Sequence, residues 1–362
     1  MKTHVCIVAG DLSGDEHAAA VAKALKQSPG KVTITALGGS CLQSIADCFL
    51  GNIVDLNVFG FFAPFKALGT LRRMLKLLRA RWDECRPDVV MLVDYYGFNI
   101  HVARAAYRRG IPVYYYISPQ VWASRPGRIA RLKRYVTRML VILPFEEQLY
   151  ASHGVPATFV GHPLLDRLPA AEASPVKPPV VGIFPGSRRS YFKRHMPILL
   201  EAAARIRREV PGVSFVFFVV PSLATSCVNL PGTVVTIDPG FEQRRKISLA
   251  VTTSGTVSVE NALLGIPMLV MYRLSWFNYL IARLLVNVRY ITMANILAGR
   301  EIVPEFIQGR ARPELIAAAA IDLLQNPTAL SRAGEDVRGV RRMLGEPGVA
   351  GRVARIILES RT

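Results

Sequence analysis

The segment LAVTTSGTVSVENALLGIPMLVMY, residues 249–272, decides the fold. A short apolar run ends at Ser254-Gly255-Thr256, a helical stretch follows, and a second apolar run closes the segment. Strand, helix, strand in this order is typical of a parallel sheet, because a crossover must return the chain to the start of the next strand. The helix begins where a strand ends, so its unpaired N–H groups favour an anion such as phosphate. An ordinary helix cap fits the same residues.

The same alternation runs through the rest of the chain, except at residues 170–179, where periodicity is lost and three prolines gather. We therefore predict an α/β protein with two doubly wound, Rossmann-like domains facing a cleft that holds the ligand. The predicted domains are residues 1–170 and 180–345, joined by a linker at 171–179. A C-terminal helix at 346–362 is expected to pack back on the first domain.

Charge and composition restrict the function. The 362 residues carry a formal net charge of +19, which indicates an anionic partner: nucleic acid, anionic lipid or a phosphorylated substrate. The five cysteines form no CxxC pair, and the chain has neither HExxH nor DxD, so we expect no metal and no cofactor. The N-terminus does not resemble a signal peptide, and no apolar run approaches the about 18 residues of a spanning helix. We expect a cytoplasmic protein.

A second polar loop strengthens the phosphate hypothesis. The sequence PGSRR follows the apolar run VVGIF, so in a doubly wound sheet it opens onto the same edge as Ser254. Ser187 can donate a hydrogen bond, and Arg188 offers a guanidinium fork that matches phosphate oxygens. Together the two loops predict a diphosphate site. Glu260 is a candidate partner for a ribose hydroxyl, or a solvated glutamate on a helix.

The first half of the chain supplies a candidate base. Asp94 closes PDVVMLVD, the most apolar predicted strand, and a carboxylate there is partly desolvated, which raises its basicity. It can take a proton from a hydroxyl or cap the next turn. Asp11, Ser13 and Asp15, in GDLSGD, follow the first predicted strand at the equivalent edge. For Ser13 and Asp15, capping of the following helix competes with substrate contact.

These motifs together resemble one family. AGDLSGD, PDVVMLVD with FN after it, YYISPQVWASRPGR, LPFEEQLY, VGHPLLD, FPGSRR, SGTVSVENALLGIPMLVMYR and NILAGREIVPEFIQ have the order and approximate spacing found in lipid-A-disaccharide synthases. The match covers nearly the whole chain from about Val5. SGT with its glutamate fits many two-domain GT-B glycosyltransferases, whereas ISPxVWA and NxLAGRxxVPExxQ are specific to this family.

The resemblance implies a metal-independent, inverting transfer of a diacylated glucosamine from UDP to the 6-hydroxyl of diacylated glucosamine 1-phosphate, lipid X, at the inner membrane. By the same resemblance, Asp94 matches the general base, and Ser13 and Asp15 match the family's first-loop polar residues. The candidate catalytic residues are Asp94, Asp11 and Ser13. The donor-side matches are Arg188 with Ser187, and Ser254, Gly255, Thr256, Glu260, Asn295 and Gln308.

This chain departs from the family pattern mainly on the acceptor side. Asp11 replaces Glu, Tyr95-Tyr96-Gly97 replaces Ala-Pro-Asp, Ala63 replaces Glu, Ser124 replaces Trp, and Tyr191 replaces Glu after PGSR. A GT-B paralogue with a different lipid acceptor is therefore an alternative.

The segment FGFFAPFKALGTLRRMLKLLRAR, residues 59–81, combines aromatic and basic residues without one acidic residue. We expect it to lie on an anionic membrane surface, with the aromatics in the interface and the basic residues on head groups. The alternative is a core-facing helix with a basic solvent side. The candidate membrane residues are Phe59, Phe61, Phe62, Phe65, Arg72, Arg73 and Lys76.

Other expectations concern partners. The segment WFNYLIARLLVNVRY, residues 276–290, could share the membrane surface or join two copies in a homodimer. An RNA-binding protein is a rival because of RPGRIARLKRYVTR, but no RNP, KH or helix-turn-helix pattern supports it, so we expect no nucleic acid. A sugar-nucleotide epimerase is a closer rival, although it has no use for an aromatic cluster.

Overall fold

The computed structural model describes residues 2–55, 63–168, 177–220, 223, 233–237, 240–285 and 288–359. The chain divides into two compact units, Met1–Asp166 with Leu344–Thr362, and Arg167–Met343. Most of the predicted linker, residues 171–176, lies outside the described residues.

Both units are built on strands that pair in parallel. In the first unit they are β1 (Lys2–Ala9), β2 (Lys31–Gly38), β3 (Cys48–Asn52), β4 (Val89–Val93), β5 (Val113–Tyr116), β6 (Arg138–Val141) and β7 (Ala157–Phe159). In the second they are β8 (Val180–Phe184), β9 (Ser214–Phe218), β10 (Thr233–Thr236), β11 (Leu249–Thr252), β12 (Met268–Tyr272) and β13 (Glu305–Ile307).

Helices connect these strands. Up to the end of β7 they are α1 (Leu12–Gln27), α2 (Ser40–Gln43), α3 (Ala63–Glu84), α4 (Tyr96–Tyr107), α5 (Arg128–Tyr135) and α6 (Pro144–Ser152). After it come α7 (Leu164–Arg167), α8 (Arg189–Glu209), α9 (Thr256–Leu263), α10 (Trp276–Leu285), α11 (Met293–Ala298), α12 (Pro313–Gln325), α13 (Pro327–Met343) and α14 (Val349–Glu359).

The sheet of the first unit has the order β3-β2-β1-β4-β5-β6-β7, and its described pairs are all parallel. All five residues of β4 are buried, as an apolar strand covered on both faces requires. Alternate residues enter two separate cores: Val90 and Leu92 pack in one, and Met91 and Val93 in the other. The helices therefore cover both faces of this sheet.

The C-terminal helix α14 belongs to the first unit, where it packs against α1. The carboxylate of Asp166 accepts hydrogen bonds from the N–H groups of Gly348, Val349 and Ala350 at 2.6, 3.0 and 2.9 Å. These groups are otherwise unpaired at the start of a helix, so Asp166 fixes where α14 begins.

The sheet of the second unit has the order β10-β9-β8-β11-β12-β13, again with parallel pairs. The predicted α/β fold class is therefore confirmed: each unit is a doubly wound parallel sheet.

The described part of α3 has an apolar side that faces the core of its own unit. Leu78 and Trp82 are buried, and Leu71, Met74 and Leu75 pack against them. For these residues the core-facing alternative is correct, because their spacing of three and four residues places them on one face of the helix. No helix within the described ranges is long and apolar enough to cross a membrane.

Candidate active site

Each sheet has one point at which the chain reverses the direction in which strands are added. In the first unit this point lies between β1 and β4, and in the second it lies between β8 and β11. Loops diverge there at the carboxyl ends of the strands, so doubly wound sheets bind ligands at this position. The four loops that leave these strands contain Asp11, Asp94, PGSRR and SGT, the residues that the sequence analysis selected.

The main chain of Asp94 is held in an uncommon conformation. Asp94 and Tyr95 have φ angles of 43° and 45°, in the left-handed region that residues with a Cβ rarely adopt. The main-chain oxygen of Asp94 accepts hydrogen bonds from the Tyr115 hydroxyl at 2.5 Å and from Nδ2 of Asn99 at 2.8 Å. Strain of this kind persists only where neighbours hold it in place, and it concentrates at functional sites.

The environment of Asp94 raises the pKa of its carboxyl. Burial, and next the negative charge of Asp11, raise the pKa of the Asp94 carboxyl from its ordinary value to about 6. A carboxylate with such a pKa is still ionised at pH 7 but accepts a proton more readily than an exposed one. The arrangement therefore suits removal of a proton from a hydroxyl.

Asp11 caps α1. One carboxylate oxygen accepts the Gly14 N–H at 3.1 Å, and the other accepts the Ser13 hydroxyl at 3.0 Å. The helix cap is thus Asp11, whereas the sequence analysis had considered Ser13 and Asp15 for this role. Ser13 itself is exposed at the same edge as Asp94.

Asp15 has a structural role that its sequence position did not reveal. It is fully buried, and it accepts hydrogen bonds from the N–H groups of Gly39, Cys41 and Leu42 at 2.7, 2.9 and 3.3 Å. The carboxylate therefore ties α1 to the start of α2, and this use of its oxygens argues against substrate contact.

Gly10 gives room to the residue that follows Asp94. A Cβ built on Gly10 would lie 2.0 Å from Cδ1 of the Tyr95 ring, which is far inside van der Waals contact. Because Tyr95 lies directly against the main chain of the first loop, the loops after β1 and β4 are packed together.

A buried glutamate lies beside this edge, and the sequence analysis did not select it. Glu146, on α6, accepts hydrogen bonds from the Ser118 hydroxyl at 2.6 Å and from Nε1 of Trp122 at 3.3 Å. Its other oxygen accepts the Leu143 N–H at 3.2 Å, and burial raises the pKa of Glu146 to about 7. The cluster joins two motifs of the family resemblance, YYISPQVWASRPGR and LPFEEQLY, and so holds the loop after β5.

The two predicted phosphate loops lie side by side in the second unit. Strands β8 and β11 pair up to Phe184 and Thr252, so PGSRR and SGT leave the sheet at the same level. Gly186 has a φ of 100°, and a Cβ on it would lie 3.5 Å from Oγ1 of Thr253. The prediction that one edge carries both loops therefore agrees with the geometry.

Both loops lead into helices whose first turns are open to an anion. Neither α8 nor α9 has a side-chain cap or an acidic residue in its first turn. Gly255 precedes α9 with a φ of 147°, a conformation that other residues rarely adopt. Ser187, Arg188 and Thr256 are exposed here, beside N–H groups that carry the positive end of each helix dipole.

Arg188 lies against an aromatic cluster. Its Nη1 is 3.5 Å from the Tyr191 hydroxyl, and its guanidinium lies 5.5 Å from the centre of that ring. Tyr191 in turn contacts His195 and Tyr272, with ring centres 6.0 and 5.7 Å away. The cluster supports the arginine beside the PGSRR loop.

His195 holds this loop from behind and was missed by the sequence analysis. Its Nδ1 lies 3.1 Å from the Pro185 main-chain oxygen, and its Nε2 accepts the Arg273 N–H at 3.2 Å. The imidazole is buried, and burial lowers its pKa. A neutral ring with its proton on Nδ1 donates to the Pro185 oxygen and accepts the Arg273 N–H, while Nε2 also lies 3.1 Å from the Arg273 oxygen, so His195 links the loop after β8 to the end of β12.

Glu260 is not a solvated glutamate. Its Oε2 accepts a hydrogen bond from Nη1 of Arg244 at 2.6 Å, and only 13% and 12% of the two side chains are exposed. The Arg244 guanidinium also lies 5.0 to 5.6 Å from the centres of three phenylalanine rings, those of Phe184, Phe218 and Phe241. The pair fixes Glu260 one turn into α9.

Three of the other donor-side residues contribute to the structure of the loops. Asn295 is fully buried: its Oδ1 accepts the Ile302 and Val303 N–H groups, and its Nδ2 donates to the Val303 oxygen and to Glu305. All four of its hydrogen bonds are used within the protein. Gln308 bonds both main-chain groups of Leu274, at 2.6 and 3.4 Å. The Ser254 hydroxyl donates to the Ile291 oxygen at 2.7 Å.

The candidate membrane residues are only partly described. Phe59, Phe61, Phe62 and the side chain of Phe65 lie outside the described part of the chain. Arg72, Arg73 and Lys76 are exposed on α3. On α10, Trp276, Phe277 and Leu280 are 75%, 72% and 61% exposed, which is unusual for three large apolar side chains so close together.

The described residues contain no group of three or more His, Cys, Asp or Glu side chains that could hold a metal ion. The cationic groups beside the PGSRR and SGT loops include Arg188, Arg189 and the two helix N-termini.

Comparisons with known proteins identify the family. The model of the Lipid-A-disaccharide synthetase family matches residues 5–345. The lipid-A-disaccharide synthase of Syntrophus aciditrophicus is 36% identical over 367 residues, which cover 97% of this chain and 96% of that protein.

Among solved structures, MurG of Acinetobacter baumannii has a TM-score of 0.63 at 17% identity, covering 99% of each chain. A UDP-GlcNAc 2-epimerase of Neisseria meningitidis has a TM-score of 0.61 at 14% identity, covering 100% of this chain and 99% of that one. At such low identity these two structures show the fold alone, which is the GT-B type.

Proposed function

This chain belongs to the lipid-A-disaccharide synthase family of glycosyltransferases, and we propose that Asp94 is the general base of its transfer reaction. In the proposed reaction, 2,3-diacylglucosamine moves from UDP to the 6-hydroxyl of 2,3-diacylglucosamine 1-phosphate, lipid X. The anomeric centre inverts, because the acceptor oxygen attacks it from the face opposite UDP.

One observation carries the assignment of the base: Asp94 lies at the reversal point of its sheet, strained, largely buried and with a pKa of about 6. The acceptor hydroxyl loses its proton to this carboxylate as the new glycosidic bond forms. The bond from the donor sugar to UDP breaks in the same step, and UDP leaves with its negative charge.

The leaving diphosphate needs positive partners, and the second unit offers them. Arg188 and the open N-termini of α8 and α9 can bind its oxygens, with Ser187, Gly255 and Thr256 at the same edge. Glu260, held by Arg244, is the proposed partner of the ribose hydroxyls. Ser254, Asn295 and Gln308 act indirectly, by shaping the loops around this site.

The experiment is mass spectrometry of the products formed from UDP-2,3-diacylglucosamine and lipid X, together with kinetics of Asp94→Asn. The amide cannot accept the proton, so transfer should fall by about 10²- to 10⁴-fold while UDP binding persists. The wild-type rate should also fall as the pH drops through about 6, because Asp94 then becomes protonated.

Near-normal turnover of Asp94→Asn would exclude Asp94 as the base. Epimerised UDP-sugar without a disaccharide would support the epimerase alternative. A disaccharide formed only with a different lipid acceptor would support the paralogue. Excess EDTA should leave turnover intact, since cationic protein groups serve the diphosphate in this proposal.

We also propose that the protein works on the surface of the inner membrane, where its acylated substrates reside. Two described features support this: the basic side of α3 with Arg72, Arg73 and Lys76, and the exposed apolar group Trp276, Phe277 and Leu280 on α10. Basic residues attract anionic head groups, and aromatic residues favour the interface.

Vesicle flotation tests this proposal. The triple variant Arg72→Glu, Arg73→Glu and Lys76→Glu should lose binding to vesicles that contain anionic lipid, and so should the variant with serine at 276, 277 and 280. Retained flotation of both variants would contradict the proposal. Sedimentation of the second variant tests whether α10 instead joins two copies in a homodimer. If this variant loses the homodimer but still floats with vesicles, α10 is a contact between two copies and does not bind the membrane.

A further inference from the structure

Two arginines, Arg125 and Arg128, follow strand β5 and form no ion pair with a described carboxylate, and Arg128 contacts the residue two positions after Asp94. The guanidinium of Arg128 lies over the ring of Tyr96, with Cζ 4.4 Å from the ring centre. Within the part of the chain that the structure describes, no carboxylate forms an ion pair with Arg125 or Arg128. Most arginines that become buried in a folded protein form such an ion pair. Because the half-buried Arg128 has none, it is a candidate to bind an anionic ligand.

The position of the pair follows from the order of the strands. Tyr96 begins α4, two residues after Asp94 at the end of β4, and the loop to Arg125 leaves the neighbouring strand β5. The Arg128 N–H donates to the Arg125 main-chain oxygen at 3.1 Å, which closes a turn between the two residues. Arg125 adopts a φ of 58°, so this turn holds a non-glycine residue in the left-handed region.

The link to the base is short. Tyr96, which Arg128 covers, follows Asp94 by two residues, and the hydroxyl of Tyr115, on the strand next to β4, donates to the main-chain oxygen of Asp94. The arginines do not neutralise the Asp94 carboxylate, however, because its pKa is raised rather than lowered. Their charge is therefore available to a group on the substrate.

The electrostatics of the pair indicate an anion. Burial, and next the charge of Arg125, lower the pKa of Arg128, so the charged form of Arg128 is destabilised here. A phosphate monoester would offset both effects, since it brings up to two negative charges and three acceptor oxygens that match guanidinium forks.

We infer that Arg125 and Arg128 bind the 1-phosphate of the acceptor sugar and thereby direct its 6-hydroxyl toward Asp94. This inference rests on the proposed function, because it needs an acceptor with a phosphate at one end and a reactive hydroxyl at the other. Tyr96 orients Arg128 by holding its guanidinium flat against the ring. The site then selects phosphorylated over unphosphorylated acceptors.

The test compares lipid X with its analogue that lacks the phosphate, both in neutral detergent micelles without anionic lipid. Arg128→Gln should lower kcat/KM for lipid X by about 10- to 100-fold, as expected for loss of a charge-assisted contact, with UDP affinity close to wild type. With the analogue the variant should match wild type. Arg128→Lys, which keeps the charge, should recover part of the loss, and the double variant with Arg125→Gln should lose more.

Arg134→Gln is the matched control, since Arg134 is exposed on the same helix, six residues farther along. It should leave both acceptors unaffected. An equal loss by Arg128→Gln on both acceptors would overturn the inference, because the arginine would then not sense the phosphate. A loss seen only on vesicles with phosphatidylglycerol would also overturn it and would assign the arginines to lipid head groups.

A binding measurement separates this inference from the proposed function. Glucosamine 1-phosphate should bind to wild type more tightly than glucosamine does, and Arg128→Gln should abolish the difference whether or not the protein turns over lipid X. If wild type binds the phosphate in this way but makes no disaccharide, the proposed function fails and the phosphate site stands. If Arg128→Gln binds it as well as wild type, the site fails.

Discussion

The hydroxyl of Tyr115 donates a 2.5 Å hydrogen bond to the main-chain oxygen of Asp94, joining the ends of two neighbouring strands. Asn99 donates to the same oxygen from α4. The carboxylate of Asp94 is thus aimed mainly by contacts to its main chain, together with a hydrogen bond that it accepts from the Tyr95 N–H. This geometry explains why a residue with φ of 43° is stable at the end of a regular strand.

Tyr115→Phe should therefore lower kcat without removing a catalytic group. The main-chain oxygen of Asp94 would lose one of its two side-chain donors and keep the one from Asn99, and a shift of about 1 Å in a reacting group can cost about 10²-fold in rate. Steady-state kinetics with saturating donor would measure it. Tyr114→Phe is the control, because Tyr114 points into the other core of the unit. Equal kcat values for the two variants would show that the Tyr115 hydroxyl does not position Asp94.

Asp94→Asn should stabilise the protein at neutral pH while it removes activity. The pKa of Asp94 is raised to about 6 in the folded protein, against about 4 in an unfolded chain. A raised pKa means that the folded state binds the proton more tightly, so stability is lost as pH rises from about 4 through about 6. The asparagine variant avoids this loss.

Thermal or denaturant unfolding at pH 4 and pH 8 would measure the effect. The variant should gain about 1 to 2 kcal/mol over wild type at pH 8 and almost nothing at pH 4. Asp322→Asn, at an exposed position on α12, should show no such dependence on pH. A destabilised Asp94→Asn at pH 8 would indicate that the ionised carboxylate has a partner that stabilises it.

The sequence was sufficient to predict the architecture and the sheet edges at which the candidate site residues lie. Alternating apolar runs and helices predict parallel sheets, and a parallel sheet brings polar residues at strand ends to one edge. Asp94, SGT and PGSRR were found in this way. Each is recognised from residues that are neighbours in the chain.

The contacts that orient these residues could not be predicted, because they join distant parts of the chain. Tyr115 and Asp94 are 21 residues apart, and His195 and Arg273 are 78 apart. Asn295 was assigned to the donor by its motif, yet its four hydrogen bonds stabilise the loop that the motif forms. A motif indicates that a residue has a role in members of the family. The hydrogen bonds of its side chain are needed to tell whether that role is to bind the ligand or to stabilise a loop.

Arg188→Ala should weaken UDP binding by about 10- to 100-fold, since a charged contact to the diphosphate contributes about 1.5 to 3 kcal/mol. Calorimetric titration with UDP would measure it. The control is Arg208→Ala, which lies exposed near the other end of α8 and should bind UDP as wild type does. If the affinity for UDP is the same in all three proteins, the PGSRR loop does not hold the diphosphate.

The pH profile of Asp11→Asn tests whether two carboxylates share the site of the first unit. Burial is the largest cause of the raised pKa of Asp94, and the charge of Asp11 is the next. Asparagine removes this charge but still caps α1, since its side-chain oxygen can accept the Gly14 N–H. The acid limb of kcat/KM should therefore move from about 6 to lower pH, whatever happens to the plateau rate, because the limb reports the protonation of the base. The acid limb should move by less than the full difference between the pKa of Asp94 and the ordinary pKa of an aspartate, because Asp94 is still buried in the variant.

Ser13→Ala is the matched control for this experiment. It removes the hydroxyl that donates to Asp11 at 3.0 Å but leaves both carboxylates in place. Its acid limb should not move to lower pH, because the repulsion between the two charges persists. A limb that stays in place in Asp11→Asn would mean either that the two carboxylates do not interact or that another group is the base. Kinetics of Asp94→Asn decide between these two, since loss of turnover there would leave only the first explanation. A limb that moves to higher pH would mean that Asp11 stabilises the ionised base, opposite to what two neighbouring negative charges should do.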